Sequence, residues 1–186
     1  MALELVRALA ATERDDDFHI SRLLLLIAAT SGKRIKSKPM EGLTKLAKLD
    51  FLLRYPNCLE RALVAAGRKP GEAKLQEFER TTIESKMIRF RYGPWDHRYR
   101  RWVSLMASRG LVTVGVQGKT VNIWLTPEGH DIAEVIAEKE PHQTLAERAK
   151  LVATRFGSKS GSGLKDFVYE TFPELTSMKW GEEIQI

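Results

Sequence analysis

The sequence contains a single cysteine, Cys58, and this scarcity limits both the compartment and the chemistry of the protein. One cysteine cannot form an intramolecular disulfide, so the chain does not resemble the small secreted proteins that disulfides stabilise. We therefore expect a cytoplasmic protein. A position near a helix start can lower a thiol pKa, but a lone cysteine beside Leu59 and Leu63 is more typical of a buried packing residue.

Long apolar segments are also missing. The longest run, Leu23 to Ala29, is much shorter than the roughly 20 residues that a bilayer-spanning helix needs. The run follows Arg22 and is typical of a buried helix in a globular protein. The N-terminus has no basic segment joined to an apolar one, so we expect no signal peptide. Because 43% of the residues are hydrophobic, the chain has enough apolar side chains for a core of its own.

Motifs for catalysis, metal binding or nucleotide binding are absent as well. The histidines do not have the spacing of metal ligands: His19, His97, His130 and His142. We expect His97 and His130 on the surface. Residues 157–163 are rich in glycine and serine, but Ser162 occupies the place of the second glycine of a phosphate-binding loop. A helix, and not a strand, is expected before this segment. We therefore expect no enzyme activity, no metal and no cofactor.

Positive charge exceeds negative charge, and the excess is concentrated in the middle of the chain. The formal net charge is +6 at pH 7. Residues 31–55 hold seven Lys or Arg against two acidic residues, and residues 82–109 hold the same numbers. The first thirty residues and residues 110–141 are net acidic. A basic centre fits phosphate contact, docking on an acidic partner, or a solvated surface without a ligand, and these interpretations stay open.

Apolar side chains recur at helical spacing through much of the chain. The pattern predicts a central helix over residues 18–30 that is apolar on most sides. It also predicts a helix over residues 40–55, with Lys45 and Lys48 facing outward. Further helices are expected over residues 2–12, 57–66, 144–156 and 164–171. Residues 68–84 are charged and low in apolar content, which fits either a loop or a solvated helix.

Three consecutive acidic residues, Asp15, Asp16 and Asp17, precede the predicted central helix. Side-chain oxygens at this position accept hydrogen bonds from the first free amides of a helix, and negative charge interacts favourably with the helix dipole there. A metal-binding interpretation is weaker, because oxygen ligands usually alternate with other residues along a loop. We therefore expect the triplet to cap the helix.

Residues 94–139 are the most informative segment, because they predict a helix, a β-hairpin and a second helix in succession. The first helix is expected to begin at Pro94 and to end at Gly110. Residues 112–116 and 121–125 alternate between apolar and polar or small side chains across a four-residue turn. The Thr-Pro-Glu-Gly sequence that follows is typical of a helix start. This order is the second half of a winged helix, a fold that usually binds nucleic acid or protein.

The expected fold is mainly α-helical with a small antiparallel β-sheet. An alternating strand over residues 87–92 is expected to pair with the hairpin. The chain of 186 residues is the size of one domain. Its winged-helix-like core is expected over residues 68–140, with a helical arm over residues 1–67 and further helices and a tail over residues 141–186.

The helix before the hairpin carries a basic polar face. In a winged helix this element can enter the major groove of DNA, so its arginines are candidate phosphate or guanine contacts. The candidate nucleic-acid-binding residues are Arg98, Arg100, Arg101 and, at the hairpin tip, Lys119. The face offers no Asn or Gln for adenine, so we expect mainly non-specific contact. Trp95 and Trp102 lie on the apolar side and are expected in the core, not stacked on single-stranded bases.

The C-terminal region combines large apolar side chains with acidic ones, a mixture that is common at protein interfaces. The candidate partner-interface residues are Phe172, Trp180, Glu182, Glu183 and Ile184. Helices outside the winged-helix unit support this interpretation, because their apolar faces must be buried within the fold or against a partner.

Four segments resemble the small middle components of bacterial ABC-three-component systems, a group that includes the Lamassu antiphage operons. They are LTKLAKLDFLLRYP at residues 43–56, IRFRYGPWDHRYRRW at 88–102, LTPEG at 125–129 and WGEEI at 180–184. The similarity extends from about residue 18 to the end of the chain. The first two segments are the more specific ones, because LTPEG is shared with many winged-helix regulators.

The resemblance implies an accessory subunit without enzyme activity, placed between an SMC-like or RecF-like ATPase and an effector that is often a nuclease. The resemblance suggests a role for this chain but identifies no active-site residues, because the sequence contains no catalytic motif. Non-specific DNA contact is compatible with this role, and no membrane partner is expected. The alternative is a homodimeric winged-helix transcriptional regulator that binds DNA. A third hypothesis is a small hydrolase that uses Cys58 or a histidine.

Overall fold

The computed structural model describes residues 15–32, 37–75 and 87–184, so the predicted helix over residues 2–12 lies outside the described residues. The chain is mainly α-helical with a small antiparallel β-sheet, as the sequence predicts. The helices are α1 (Asp16–Ser31), α2 (Leu43–Arg54), α3 (Pro56–Ala65), α4 (Tyr99–Ser108), α5 (Pro127–Glu138), α6 (Gln143–Phe156), α7 (Gly161–Thr171) and α8 (Glu174–Ser177). The strands are β1 (Met40–Glu41), β2 (Ile88–Phe90), β3 (Gly93–Trp95), β4 (Val112–Gln117) and β5 (Thr120–Leu125).

The three-stranded sheet has the order β1-β5-β4, and both of its pairings are antiparallel. Strands β4 and β5 form the predicted hairpin, with Val112 opposite Leu125. Strand β1 pairs with β5 through Met40 and Ile123. The elements α1, β1, α2, α4, β4 and β5 therefore follow one another in the order of a complete winged helix. Residues 56–98 are inserted between its second and third helices.

Two expectations about the sheets are wrong. Strand β2 does not join the hairpin sheet but pairs with β3, and the two form a separate two-stranded sheet. The strand that completes the hairpin sheet is β1, whose residues were expected inside a helix. Gly42 adopts a φ of 92°, which favours glycine and separates β1 from α2. Strand β1 therefore joins the hairpin sheet from outside residues 68–140, and α2 packs against β1.

Helix α4 begins at Tyr99 and not at Pro94, which lies in β3. The end of the helix is close to the predicted one, and Gly110 follows it with a φ of 72°. The buried side of α4 agrees with the apolar face expected from the sequence: Tyr99, Trp102, Val103 and Met106.

One hydrophobic cluster joins the helices to both sheets. Helix α1 is central, since Leu23–Ile27 are all buried, and it packs against α5 and α6. Helices α6 and α7 pack on α2, and residues 141–175 thus fold onto the winged-helix core. Helix α7 begins earlier than predicted, because Ser160 accepts a hydrogen bond from the amide of Gly163 and caps it. Among the described helices, none has both the length and the apolar character that crossing a bilayer requires.

Candidate functional site

A network of buried charged groups holds α4 against α1 and α2. Both carboxylate oxygens of Asp50 accept hydrogen bonds from Arg22, at 2.7 and 3.1 Å. The Tyr99 hydroxyl donates to the same carboxylate at 2.7 Å, and burial together with the Asp50 charge raises the Tyr99 pKa well above its usual value. A guanidinium nitrogen of Arg22 lies 2.8 Å from Nδ1 of His19. The ring centre of His19 lies 4.5 Å from that of Trp102. The position of α4 therefore depends on internal charge pairing.

A second buried pair fixes the turn before α4. The Asp96 carboxylate accepts a hydrogen bond from Arg54 at 3.0 Å and further bonds from the backbone and guanidinium of Arg98, at 2.7 to 3.0 Å. Burial raises the Asp96 pKa, but the hydrogen bonds from Arg98 and Arg54 outweigh burial and hold this pKa well below its usual value. The Arg98 guanidinium also lies 4.8 Å from the ring centre of Trp102. Arg98 thus stabilises the start of α4.

The acidic triplet at residues 15–17 contacts α4 from the other side. Asp15 accepts a hydrogen bond from the amide of Asp17 and caps α1, as predicted. Asp16 pairs with Arg101 and also accepts a hydrogen bond from the Trp102 indole at 3.0 Å. The structure gives no metal site here, because no group of three potential ligands lies together within the described residues.

The four candidate nucleic-acid-binding residues therefore differ in their surroundings. Arg98 and Arg101 are engaged by Asp96 and Asp16. Arg100 and Lys119 are exposed and form no ion pair within residues 15–32, 37–75 and 87–184. Both line one groove. Of the four candidates, the two side chains without an ion pair among the described residues therefore line the same groove, and the two paired ones, Arg98 and Arg101, do not.

This groove, which we call the basic groove, has a volume of about 570 Å³. It lies between the β2–β3 hairpin, the β4–β5 turn and the first turns of α2 and α7. Its basic side chains are Lys48, Arg100 and Lys119, and its aromatic ones are Phe90, Tyr92 and Trp95. Such a surface can attract negative charge and stack on flat groups.

Lys45 and Lys48 do not face outward as expected, because both are buried. The side of α2 that carries them is covered by β1, β3 and α7. Lys45 pairs with Glu41 at 3.1 Å. Lys48 donates to the carbonyl of Thr44 at 3.0 Å but has no carboxylate partner in the described part of the chain. Burial and the nearby charge of Lys165 lower the Lys48 pKa to about 8.

The C-terminal tail lies along the β2–β3 hairpin and extends it. The Arg89 amide donates to the Glu182 carbonyl at 2.8 Å, and the Ile184 amide donates to the Met87 carbonyl at 2.8 Å. This pairing positions Trp180, which is 65% exposed. Its ring centre lies 6.4 Å from that of Phe90, which in turn lies 6.0 Å from that of Trp95. We call Phe90, Trp95 and Trp180 the aromatic patch.

The five candidate partner-interface residues separate into two groups. Phe172 is fully buried and Ile184 is 2% exposed, so the expectation that they contact a partner is corrected: both pack inside the fold. Trp180, Glu182 and Glu183 are exposed. The sequence did not identify Phe90 as a surface residue, because the strand that carries it was expected to pair with the hairpin and instead pairs with β3.

The hydrolase hypothesis depends on Cys58 or a histidine, and some of these candidate residues are buried. Cys58 is buried, and burial raises the pKa of its thiol to about 12. His97 is exposed as expected, but His130 is buried and was expected on the surface. Its helix α5 packs against α1, which covers that position.

Cys58 is expected to be unreactive in the folded protein. Since a thiol with a pKa of about 12 is almost entirely protonated at pH 8, Ellman's reagent should label it only after denaturation. The labelling rate with and without 6 M guanidinium chloride checks this, and we expect the ratio to exceed roughly 100. Rapid labelling of the folded chain would show an accessible thiolate.

Comparison of the sequence with family models and with curated proteins, and of the fold with solved structures, finds no match.

Proposed function

We propose that this chain is a non-enzymatic accessory subunit in the bacterial cytoplasm. In this role it bridges an SMC-like or RecF-like ATPase and a nuclease-type effector of an antiphage defence complex. The observation that carries the proposal is the aromatic patch, a contiguous set of rings that ends at the 65% exposed Trp180. The antiphage setting rests on the four sequence segments that resemble middle components.

The patch has the features of a protein-binding surface. Tryptophan and arginine dominate the binding energy of protein interfaces, and the exposed Trp180 lies beside Phe90, which is 44% exposed. Hydrogen bonds between the tail and Arg89 hold the patch in place, so little conformational entropy is lost on binding. Exposed Glu182 and Glu183 flank the tryptophan, and they supply the polar rim that usually surrounds such an anchor.

A DNA-binding regulator is the second candidate, and the complete winged-helix topology favours it. The internal pairing of Arg98 and Arg101 argues against it, because these side chains would have to break ion pairs before they contact DNA. A regulator should bind a specific duplex with nanomolar affinity near physiological salt. We expect only weak duplex binding that decreases steeply as salt rises.

Substitution of Trp180 tests the bridging proposal. We expect Trp180→Ser to weaken the complex with the proposed ATPase partner by at least about tenfold, because the central anchor of the interface is lost. Biolayer interferometry with the purified ATPase measures the change.

Val64→Ser is the matched control, since Val64 is an apolar side chain that is 47% exposed on α3, outside the patch. We expect it to bind like the wild type. If Trp180→Ser binds the ATPase as tightly as the wild type does, with unchanged thermal unfolding, the aromatic patch is not part of the interface.

A further inference from the structure

We propose that the basic groove binds single-stranded nucleic acid, with the phosphates held by Lys48, Arg100 and Lys119 and a base stacked on Tyr92. This site goes beyond the bridging role and does not depend on it. Phe90 and Trp95 of the aromatic patch also line the groove, whereas Trp180, whose substitution tests the bridging proposal, does not.

The charge of the groove is the first argument. Three cationic side chains line it, and the described residues provide no ion pair for any of them. Glu41 is the one carboxylate among the described lining residues, and it already pairs with Lys45 at 3.1 Å. The groove therefore has an uncompensated positive charge that attracts anions.

The burial of Lys48 is the second argument. Its side chain is 2% exposed, lines the groove and donates one hydrogen bond, to a carbonyl of its own helix. A buried ammonium without a counter-ion is unfavourable for folding, and a methionine or leucine would fit the same space. An anionic ligand in the groove explains why a lysine occupies this position. A bound phosphate would also raise the Lys48 pKa from about 8 towards its usual value.

The two helices that begin at the groove favour the same ligand. The first turns of α2 and α7 both line it, so the positive ends of two helix dipoles point towards one space. Helix α2 has no side-chain cap and no acidic residue in its first turn. Helix α7 begins with Gly161 and Ser162, which both line the groove, while Ser160 caps the amide of Gly163.

The aromatic side chains distinguish a nucleic acid strand from other anions. Tyr92 is 47% exposed and, like Trp95, lines the groove. Bases stack on such rings when they are not paired, whereas in a duplex their faces are covered by neighbouring bases. A peptide of acidic residues would match the charge of the groove but would have no aromatic rings to stack on these side chains.

Fluorescence anisotropy with the full chain and a labelled octathymidylate tests the site. We expect Lys48→Met and the Arg100→Ser/Lys119→Ser pair each to weaken binding by roughly tenfold or more, through lost phosphate contacts. Tyr92→Ser should weaken it by roughly fivefold to tenfold, through lost stacking. Val64→Ser, which lies outside the groove, should leave it unchanged.

Three competitors identify the ligand class. An abasic octamer with the same number of phosphates, an eight-base-pair duplex and octaglutamate should each compete at least about tenfold less well than unlabelled octathymidylate. Equal competition by the abasic octamer or the duplex would overturn single-strand recognition, and equal competition by octaglutamate would identify a peptide-binding groove. Unchanged binding by both the Lys48 variant and the paired surface variant would overturn the site itself.

Discussion

Replacement of Asp50 by alanine is expected to lower the free energy of unfolding by about 3 to 5 kcal/mol. The substitution leaves the guanidinium of Arg22 buried without its carboxylate, and it removes the acceptor of the Tyr99 hydroxyl. Both effects leave polar groups without partners in the interior, where water cannot replace the lost bonds. Urea denaturation followed by tryptophan fluorescence measures the loss, since Trp102 lies beside this network.

Two further variants show whether the lost charge pairing is responsible. Glu174 pairs with Arg61 on the surface, where both side chains are more than 40% exposed, so Glu174→Ala should cost less than about 1 kcal/mol. Arg22→Met combined with Asp50→Leu removes both buried charges and should recover at least half of the loss. An Asp50→Ala variant as stable as Glu174→Ala would contradict the role that we assign to the network.

Lys48→Met is expected to raise the free energy of unfolding at pH 7 by about 1 to 3 kcal/mol. The Lys48 pKa is lowered to about 8 by burial and by Lys165, so the folded state binds this proton less tightly than the unfolded state does. The charged ammonium therefore destabilises the fold, and methionine removes the charge while it keeps most of the volume. If Lys48→Met stabilises the protein and also weakens the binding of single-stranded nucleic acid, Lys48 is present for ligand binding and not for folding.

The pH dependence of stability provides the check on Lys48. The cost of its charge is fully present below pH 8, and it disappears as the pH rises from about 8 towards 10.5, where the unfolded chain also loses this proton. The stability of the wild type should thus approach that of Lys48→Met over this range. Lys119→Met, which replaces an exposed lysine, is the matched control for the loss of a positive charge. A Lys48→Met variant less stable than the wild type at pH 7 would contradict the assignment.

Local patterns of the sequence were sufficient to predict most of the longer described helices and the β4–β5 hairpin. Alternation over residues 112–125 depends on neighbouring side chains only, and the structure confirms the hairpin. The continuous apolar run of Leu23–Ile27 likewise predicts the buried central helix. Strand β1 was missed because two residues are too short for any periodicity, and its pairing with β5 is fixed by the fold as a whole.

The candidate site was harder to predict, because it depends on contacts between distant parts of the chain. A helical wheel places Lys48 on a polar face, but it does not show that α7 covers this face. A helical wheel of α4 likewise places Arg101 on a polar face, but it does not show that Arg101 pairs with Asp16, which is far away in the sequence. Phe90 and Trp180 become neighbours only when the tail pairs with β2. Side-chain exposure at these positions is therefore a property of the tertiary structure.

The size of the complexes formed with and without this chain tests the bridging role most directly. We would co-express this chain with the ATPase and the effector of the proposed complex, purify them through a tag on the ATPase, and measure particle masses by mass photometry. We expect the effector to co-purify when the wild-type chain or Val64→Ser is present, and to be lost when the chain is omitted or carries Trp180→Ser. Equal recovery of the effector without the chain would contradict the proposal.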